Sequence, residues 1–344
     1  LAVLDTSVQC KKIPVNPELD GKGRMRMEQQ DFHQAPDAAA RMAGWPAKKL
    51  FTRLGLIFAA TLLLMQVVQI FLFAILQQKA PDFLSSVWGN WILAGVSMYV
   101  FCLPVYLLLM RRVPKQPALG TKTPFSGSQV FVLFVICLST TYLGNYISIA
   151  INAGLAAIKG APITNPLEFT GDGSLLATVL FGVILSPIVE EIIFRKVLID
   201  RLEQYGEGLC ILASGWFFGL YHGNLSQLIY AFALGCIFAF VYVRSGRLRY
   251  SILLHVAINA CGLVIFPQIV AAGNLASTLL IGLIIITAII AGVVLFCKHV
   301  KKIRLYPGSS GLTSGQKCRL LMLNPGSIVY ELLILGLITL TVLA

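Results

Sequence analysis

From residue 54 onwards, long apolar stretches alternate with short polar segments along the chain. Several stretches reach or approach the roughly 20 residues that a helix needs to cross the hydrocarbon core of a bilayer. A spanning segment must satisfy its own backbone hydrogen bonds, so helices are the predicted elements. The predicted spans are 54–77, 89–110, 129–157, 174–199, 208–223, 225–243, 250–268, 276–297 and 327–344.

This pattern predicts an all-α fold, a polytopic transmembrane helical bundle of about eight or nine spans. A polar, basic segment at 1–53 is expected to be cytoplasmic and poorly ordered, and a membrane-embedded helical domain follows at 54–298. Residues 299–326 are expected to form a linker because they contain many Gly, Ser and Lys residues. The short terminal span at 327–344 is predicted to be incomplete or dispensable.

Composition agrees with a membrane protein. The 344-residue chain is 57% hydrophobic and 12% charged, whereas a soluble domain carries roughly 25% charged residues. The eight cysteines are scattered without a CxxC pair. They are therefore interpreted as small apolar residues and not as metal ligands or disulfides.

The net charge of +12 would suit a nucleic acid, but the distribution of Lys and Arg argues against that partner. Apart from Arg195 within a predicted span, 24 basic residues lie in alternate polar segments, and the opposite loops contain only Lys79 and Lys159. The positive-inside rule then predicts a cytoplasmic N-terminus. The expected partner is the lipid bilayer, and the expected location is a bacterial plasma membrane.

Three ionisable residues interrupt the apolar stretch 174–199: Glu190, Glu191 and Arg195. A charge at the centre of a membrane helix costs about 2.5–3.5 kcal/mol on insertion scales, so these residues indicate a functional site. Glu191 and Arg195 are four residues apart on one helix face and are predicted to form a fixed ion pair. Glu190 is rotated by about 100° from Glu191 and is predicted to be the group that transfers protons.

Two later spans each carry a polar pair on one face. Phe218 and His222 are four residues apart, and so are His255 and Asn259. Counting from the predicted cytoplasmic edges places Glu190 about 15 Å deep, His222 about 21 Å and His255 about 9 Å. We therefore expect these residues to meet only if their helices are tilted or offset.

The three sets read Glu190-Glu191-x-x-x-Arg195, Phe218-x-x-x-His222 and His255-x-x-x-Asn259. In this order they resemble the EExxxR, FxxxH and HxxxN motifs of the CPBP family, which contains intramembrane CAAX-type proteases and bacteriocin-processing or immunity proteins. The resemblance covers about 174–265. It implies peptide-bond hydrolysis at the membrane by an endopeptidase of the glutamate type.

The resemblance also implies roles for individual residues. Glu190 and His222 would activate a water molecule, and His255 and Asn259 would stabilise the oxyanion. Glu191, Arg195 and Phe218 would support the site.

Other interpretations remain open. No cofactor is expected, because Asn259 suits an oxyanion donor, but Glu190, His222 and His255 would make a His₂Glu zinc set. A non-catalytic immunity or toxin-binding membrane protein is the alternative function. A proton- or ion-coupled transporter is a third class, although the inverted repeats typical of transporters are not visible. The expected substrate is a peptide or membrane protein that the sequence does not identify.

Overall fold

A computed structural model describes residues 46–118, 120–163 and 174–343, together with two short strands near the N-terminus. The strands are β1 (Glu18–Leu19) and β2 (Met25–Arg26), and they pair antiparallel. The prediction of a poorly ordered segment at 1–53 falls mostly outside the described residues.

The described chain is otherwise helical. The helices are α1 (Ala47–Lys79), α2 (Pro81–Ser85), α3 (Val87–Arg111), α4 (Gly127–Lys159), α5 (Leu175–Val197), α6 (Glu207–Tyr221), α7 (Leu225–Ser245), α8 (Leu248–Val270), α9 (Leu275–Val300), α10 (Ser314–Met322) and α11 (Pro325–Leu343). A short 3₁₀ turn, Glu203–Tyr205, precedes α6.

Eight of these helices are long and apolar enough to cross a membrane: α1, α3, α4, α5, α7, α8, α9 and α11. This result confirms the predicted all-α polytopic bundle. The predicted span at 208–223 is α6, which has only 15 residues. At 1.5 Å per residue it is about 22 Å long, shorter than the roughly 30 Å hydrocarbon core.

The end of α6 has a local cause. His222 is its C-terminal cap, and Gly223 follows with a φ of 62°, a left-handed conformation that glycine adopts at no steric cost. Asn224 then caps α7 by accepting a hydrogen bond from the backbone N–H of Gln227. The chain therefore reverses direction immediately after His222.

Close contact between α6 and α7 depends on small residues. A Cβ atom on Gly219 would lie 2.8 Å from the Cβ of Phe232, and one on Gly235 would lie 2.9 Å from the Cα of Gly215. These glycines let the two backbones approach closely. The resulting pair of helices holds Phe218 and Phe238 in the centre of the bundle, where both are buried.

The terminal helix α11 belongs to the core. A Cβ on Gly326 would overlap the backbone carbonyl of Thr52 in α1. Tyr330 is fully buried, with its ring centroid 5.8 Å from that of Phe58 and 5.5 Å from that of Phe217. These contacts join α11 to α1 and α6, and the expectation that this stretch is incomplete or dispensable stays a prediction. The predicted linker also contains a helix, α10.

The basic segments meet at one end of the bundle. Three backbone hydrogen bonds connect them: Gln116 N to Asp200 O at 2.7 Å, Thr123 N to Arg244 O at 2.9 Å, and Glu207 N to Tyr306 O at 3.0 Å. The segments that precede α4, α6, α8 and α10 thus form one surface. The uneven distribution of Lys and Arg in the sequence corresponds to this surface.

Arg201 stabilises this end by capping helices. Its guanidinium donates to the carbonyls of Met110 and Val113 at the end of α3 and of Val197 at the end of α5. Carbonyls at the end of a helix have unused acceptor capacity, and a cation suits the negative end of the helix dipole. Burial lowers the pKa of Arg201, but a guanidinium stays protonated at any physiological pH.

Candidate active site

Helix α5 carries both carboxylates of the site, Glu190 and Glu191, and its backbone is irregular. Two π-helical stretches, Thr178–Leu185 and Ile192–Val197, flank the α-helical turn Ser186–Glu191. Pro187 in that turn has no N–H to donate, so the regular ladder of hydrogen bonds is interrupted. π-Helical turns occur frequently at functional sites. This irregularity determines the directions in which Glu190 and Glu191 project.

Glu191 and Arg195 form the predicted ion pair. The distance from Arg195 Nε to Glu191 Oε2 is 3.1 Å, and both side chains are fully buried. Two charges removed from water each incur a desolvation penalty, which their mutual attraction offsets. Removing one of them would leave the other buried and uncompensated.

Aromatic rings surround the guanidinium of Arg195. Its Cζ atom lies 4.4 Å from the ring centroid of Phe218, 5.3 Å from that of Phe238 and 5.9 Å from that of Phe194. Desolvated cation–π contacts contribute on the order of 2 kcal/mol. Arg195 is therefore held by one carboxylate and three aromatic faces.

His255 of α8 contacts both carboxylates. Its Nδ1 lies 3.0 Å from Glu191 Oε1, and its Nε2 lies 3.7 Å from Glu190 Oε2. Phe238 stacks on the imidazole, with ring centroids 5.0 Å apart and planes inclined by 27°. The ring of His255 is thus fixed on two edges and one face.

The two ring nitrogens of His255 face different carboxylates. Glu191 is paired with Arg195, and its Oε1 accepts a hydrogen bond from Nδ1 of His255. Nε2 is then the nitrogen that faces Glu190, at a distance longer than a hydrogen bond. Glu190 and Nε2 of His255 are therefore near enough to contact the same bound molecule.

Glu190 is more accessible than its neighbour. Its side chain is 15% exposed, whereas that of Glu191 is fully buried. The sequence predicts that Glu190 lacks the i,i+4 partner of Glu191, and the structure agrees, because the partner of Glu190 comes from another helix. Glu190 is the carboxylate that a water molecule or substrate would reach.

His222 reaches this cluster through the ring of Phe218. Its Nδ1 lies 2.8 Å from the carbonyl oxygen of Phe218, so Nδ1 is the donor and the lone pair is on Nε2. The ring of Phe218 meets His222 edge-on at 5.0 Å and His255 edge-on at 5.6 Å. Phe218 therefore separates the two imidazoles at a fixed spacing.

Asn259 lies one helical turn beyond His255 on α8. Its side-chain Nδ2 donates to the backbone carbonyl of Gly182 at 2.9 Å. That carbonyl belongs to the first π-helical stretch of α5. The bond orients the amide and leaves the second N–H of Nδ2 to donate elsewhere.

The predicted residues thus converge to different degrees. Glu190, Glu191, Arg195, Phe218 and His255 are in direct contact. His222 joins them through Phe218, and Asn259 is bonded to the backbone beside them. Among the residues that the structure describes, no three His, Cys, Asp or Glu side chains are grouped as metal ligands. The catalytic roles remain predictions.

Sequence analysis did not identify two neighbours of the site. Phe238 on α7 contacts Arg195 and His255, but a phenylalanine in an apolar stretch gives no signal of this role. The hydroxyl groups of Tyr99 in α3 and Ser186 in α5 form a hydrogen bond of 3.0 Å, and Ser186 lies one turn before Glu190. The i,i+4 spacing of Ser186 and Glu190 could have placed Ser186 beside the site, but no pattern in the sequence connects Tyr99 to Ser186.

Comparisons with known proteins point to the same region. Residues 172–261 match a family model described as type II CAAX prenyl endopeptidase Rce1-like. The chain is 28% identical over 176 residues to YdiL of Bacillus subtilis (strain 168), described as a candidate membrane peptidase, with 50% of this chain and 69% of YdiL aligned. It is 32% identical over 98 residues to the membrane-embedded CAAX protease MroQ of Staphylococcus aureus (strain USA300), with 26% of this chain and 39% of MroQ aligned. No solved structure gives a significant match.

The fold is that of a polytopic helical membrane protein, and residues 172–261 are similar to membrane peptidases of the CAAX type. The resemblance to the CPBP family is confirmed, and all the predicted site residues from Glu190 to Asn259 lie inside the matched range.

Proposed function

We propose that the chain is an intramembrane endopeptidase in which Glu190 activates a water molecule to hydrolyse a peptide bond. The observation that carries this proposal is the partly exposed Glu190 carboxylate, 3.7 Å from Nε2 of a histidine whose other nitrogen is bound to a buried carboxylate. Such a pair holds a proton that can be moved during a reaction.

The mechanism assigns different roles to the two histidines. Glu190, assisted by the lone pair on Nε2 of His222, accepts a proton from water, and the water oxygen attacks the peptide carbonyl carbon. The carbonyl oxygen becomes an anion, to which His255 Nε2–H and the second N–H of Asn259 donate. Donors of this kind contribute about 3 kcal/mol each to transition-state stabilisation. The accepted proton then passes to the leaving amine as the C–N bond breaks.

Glu191, Arg195 and Phe218 position these groups without touching the substrate. Glu191 fixes the hydrogen on His255 Nδ1, so His255 Nε2 points towards Glu190. A carboxylate in this arrangement fixes the tautomer of an imidazole and orients the ring.

We propose a peptide or membrane-protein substrate that carries its cleavage site close to the membrane surface. Similarity to CAAX proteases suggests a C-terminal segment near a lipidated cysteine, and similarity to immunity proteins suggests a short peptide. A metal-free site is proposed because Asn259 suits an oxyanion donor. Loss of activity on chelation and its recovery with zinc would instead support Glu190, His222 and His255 as ligands.

The test is a comparison of the N- and C-termini of membrane proteins by mass spectrometry in cells that express the wild type, Glu190→Gln or Glu331→Gln. Glu331 is a matched control because it is a carboxylate in a span that accepts a hydrogen bond from Trp216, away from the site. We expect new N- or C-termini with the wild type and Glu331→Gln but not with Glu190→Gln. Identical termini in all three samples would support the alternative, a non-catalytic immunity or toxin-binding protein.

A further inference from the structure

A cavity lies outside the candidate active site. It has a volume of about 710 Å³ and is enclosed by α4, α7, the end of α9 and the segment that follows α9. Its walls are apolar, with Val132, Ile136, Ile237, Phe240 and Phe296 among them. None of the predicted catalytic residues lines it. This volume is within the range of ligand-binding sites in proteins.

The cavity extends away from the basic end of the bundle. On α4 it reaches from Ser128 to Ile136, which is about 12 Å of helix. Near the opening, Phe296, Val300 and Ile303 line the wall and are exposed. An apolar chain could therefore enter from the surface and lie along the helices.

The opening is basic. A polar cavity of about 290 Å³ adjoins the apolar one and shares Phe240 and Lys302 with it. Arg244, Lys302 and Arg304 line this polar cavity, and no Asp or Glu is found among its described lining residues. The structure thus combines the apolar cavity, called the slot below, with a basic opening formed by Arg244, Lys302 and Arg304, called the mouth.

One donor at the mouth lacks an acceptor. Arg244 forms an ion pair with Glu207 at 3.0 Å and donates to the carbonyl of Arg304. Its Nε is nevertheless buried without a hydrogen-bond partner in the described part of the chain. A buried donor left without an acceptor is unfavourable, and the guanidinium that carries it lines the polar cavity, where it could pair with a phosphate.

The level of the mouth suits a lipid headgroup. Arg244 lies at the end of α7, which stops at Ser245, and Lys302 follows α9, which stops at Val300. Basic residues that follow directly after membrane helices lie at the depth of the lipid phosphates. The apolar walls suit the acyl chain of a lipid, and the cations at this depth suit its phosphate.

We propose that this cavity binds an anionic glycerophospholipid, with an acyl chain between α4, α7 and α9 and the phosphate at Arg244 and Lys302. The proposal does not depend on peptidase activity. Each basic residue near a membrane surface favours an anionic lipid by about fivefold in affinity. Binding should therefore depend on the headgroup as well as on the acyl chain.

The test uses native mass spectrometry of the purified full-length protein with phosphatidylglycerol or phosphatidylcholine of identical acyl chains. We expect one retained phosphatidylglycerol and retention of phosphatidylcholine that is weaker by at least about fivefold. Lys302→Glu should remove this preference. Lys301→Glu is the matched control, because Lys301 is adjacent and exposed but lines neither cavity, and it should keep the preference.

A second pair of variants tests the slot. Val132→Trp should fill the cavity and abolish retention of both lipids, whereas Val294→Trp, at an exposed position outside the cavity, should not. Equal retention of the two lipids by the wild type, or equal behaviour within either pair of variants, would overturn the proposal. If Val132→Trp does not fold, the melting temperature of the wild type decides: it should rise more with phosphatidylglycerol, and an equal rise would count against the site.

Discussion

Glu190 and Glu191 are adjacent in sequence but occupy different environments. Glu191 is fully buried between Arg195 and His255, whereas Glu190 is partly exposed and lies 3.7 Å from the imidazole. The i,i+4 rule predicts the pair of Glu191 and Arg195 from the sequence. The bond from His255 to Glu191 could not be predicted, because contacts between helices depend on their rotation, which a single sequence does not specify.

The environment of Glu191 leads to a prediction about stability. Glu191→Gln leaves Arg195 buried without a counter-charge, and breaking a buried pair in this way costs about 3–5 kcal/mol. We expect a large decrease in the melting temperature of the purified protein. Glu190→Gln replaces the more exposed carboxylate by a neutral amide and should leave the melting temperature nearly unchanged. Equal destabilisation by the two variants would contradict the division of roles.

Phe218 leads to a prediction about activity. It contacts Arg195, His222 and His255, whereas Phe217 on the same helix stacks on Phe58 with centroids 4.3 Å apart. Both rings are buried, so Phe218→Leu and Phe217→Leu should each cost about 1–3 kcal/mol of stability.

The activity of the two variants should differ. We expect Phe218→Leu to lower kcat by at least about tenfold, because small displacements of catalytic groups are costly, and Phe217→Leu to retain kcat at a temperature where both are folded. Similar kcat values would show that Phe218 only fills space.

At the scale of elements, apolar length predicts the long helices and misses a short one. Helix α6 was predicted at 208–223 and ends at Tyr221, because Gly223 and the Asn224 cap reverse the chain. Helix α10 was missed because it is polar and lies in the predicted linker. Its capping box, Thr313 with Gln316, was the signal that could have identified it.

The contact of α11 with α1 gives a prediction at this scale. Gly326→Val places side-chain atoms against the backbone of Thr52 and should destabilise the protein by about 1–3 kcal/mol or more. Gly336→Val is the control, because nothing lies within 4 Å of a Cβ at that position of the same helix. Thermal unfolding in detergent measures both. No difference between them would indicate that α11 does not pack on α1.

At the scale of the whole molecule, the distribution of charge could be predicted from the sequence. The counts of Lys and Arg in alternate segments predict two unlike ends, and hydrogen bonds between the basic segments form one of those ends. The convergence of the site was less predictable. Depths counted from helix edges separated His222 from His255 by about 12 Å, yet both contact the ring of Phe218.

The orientation of the molecule remains a proposal with a direct test. In a cysteine-free background, Ser309→Cys lies at the basic end and Ala272→Cys in the loop at the opposite end, and both positions are exposed. We expect a membrane-impermeant maleimide to label Ala272→Cys in intact cells and Ser309→Cys only after permeabilisation. The reverse labelling would place the basic end outside the cytoplasm.

The most direct test of the catalytic proposal uses the purified protein in liposomes and a peptide identified from the new cellular termini. The rate of cleavage and the melting temperature are measured for the wild type, Glu190→Gln and Glu331→Gln. We predict that Glu190→Gln lowers kcat by about 10²–10⁴-fold or more while its melting temperature stays that of the wild type, and that Glu331→Gln retains kcat. A folded Glu190→Gln protein that cleaves at the wild-type rate would contradict the role of Glu190 as the base.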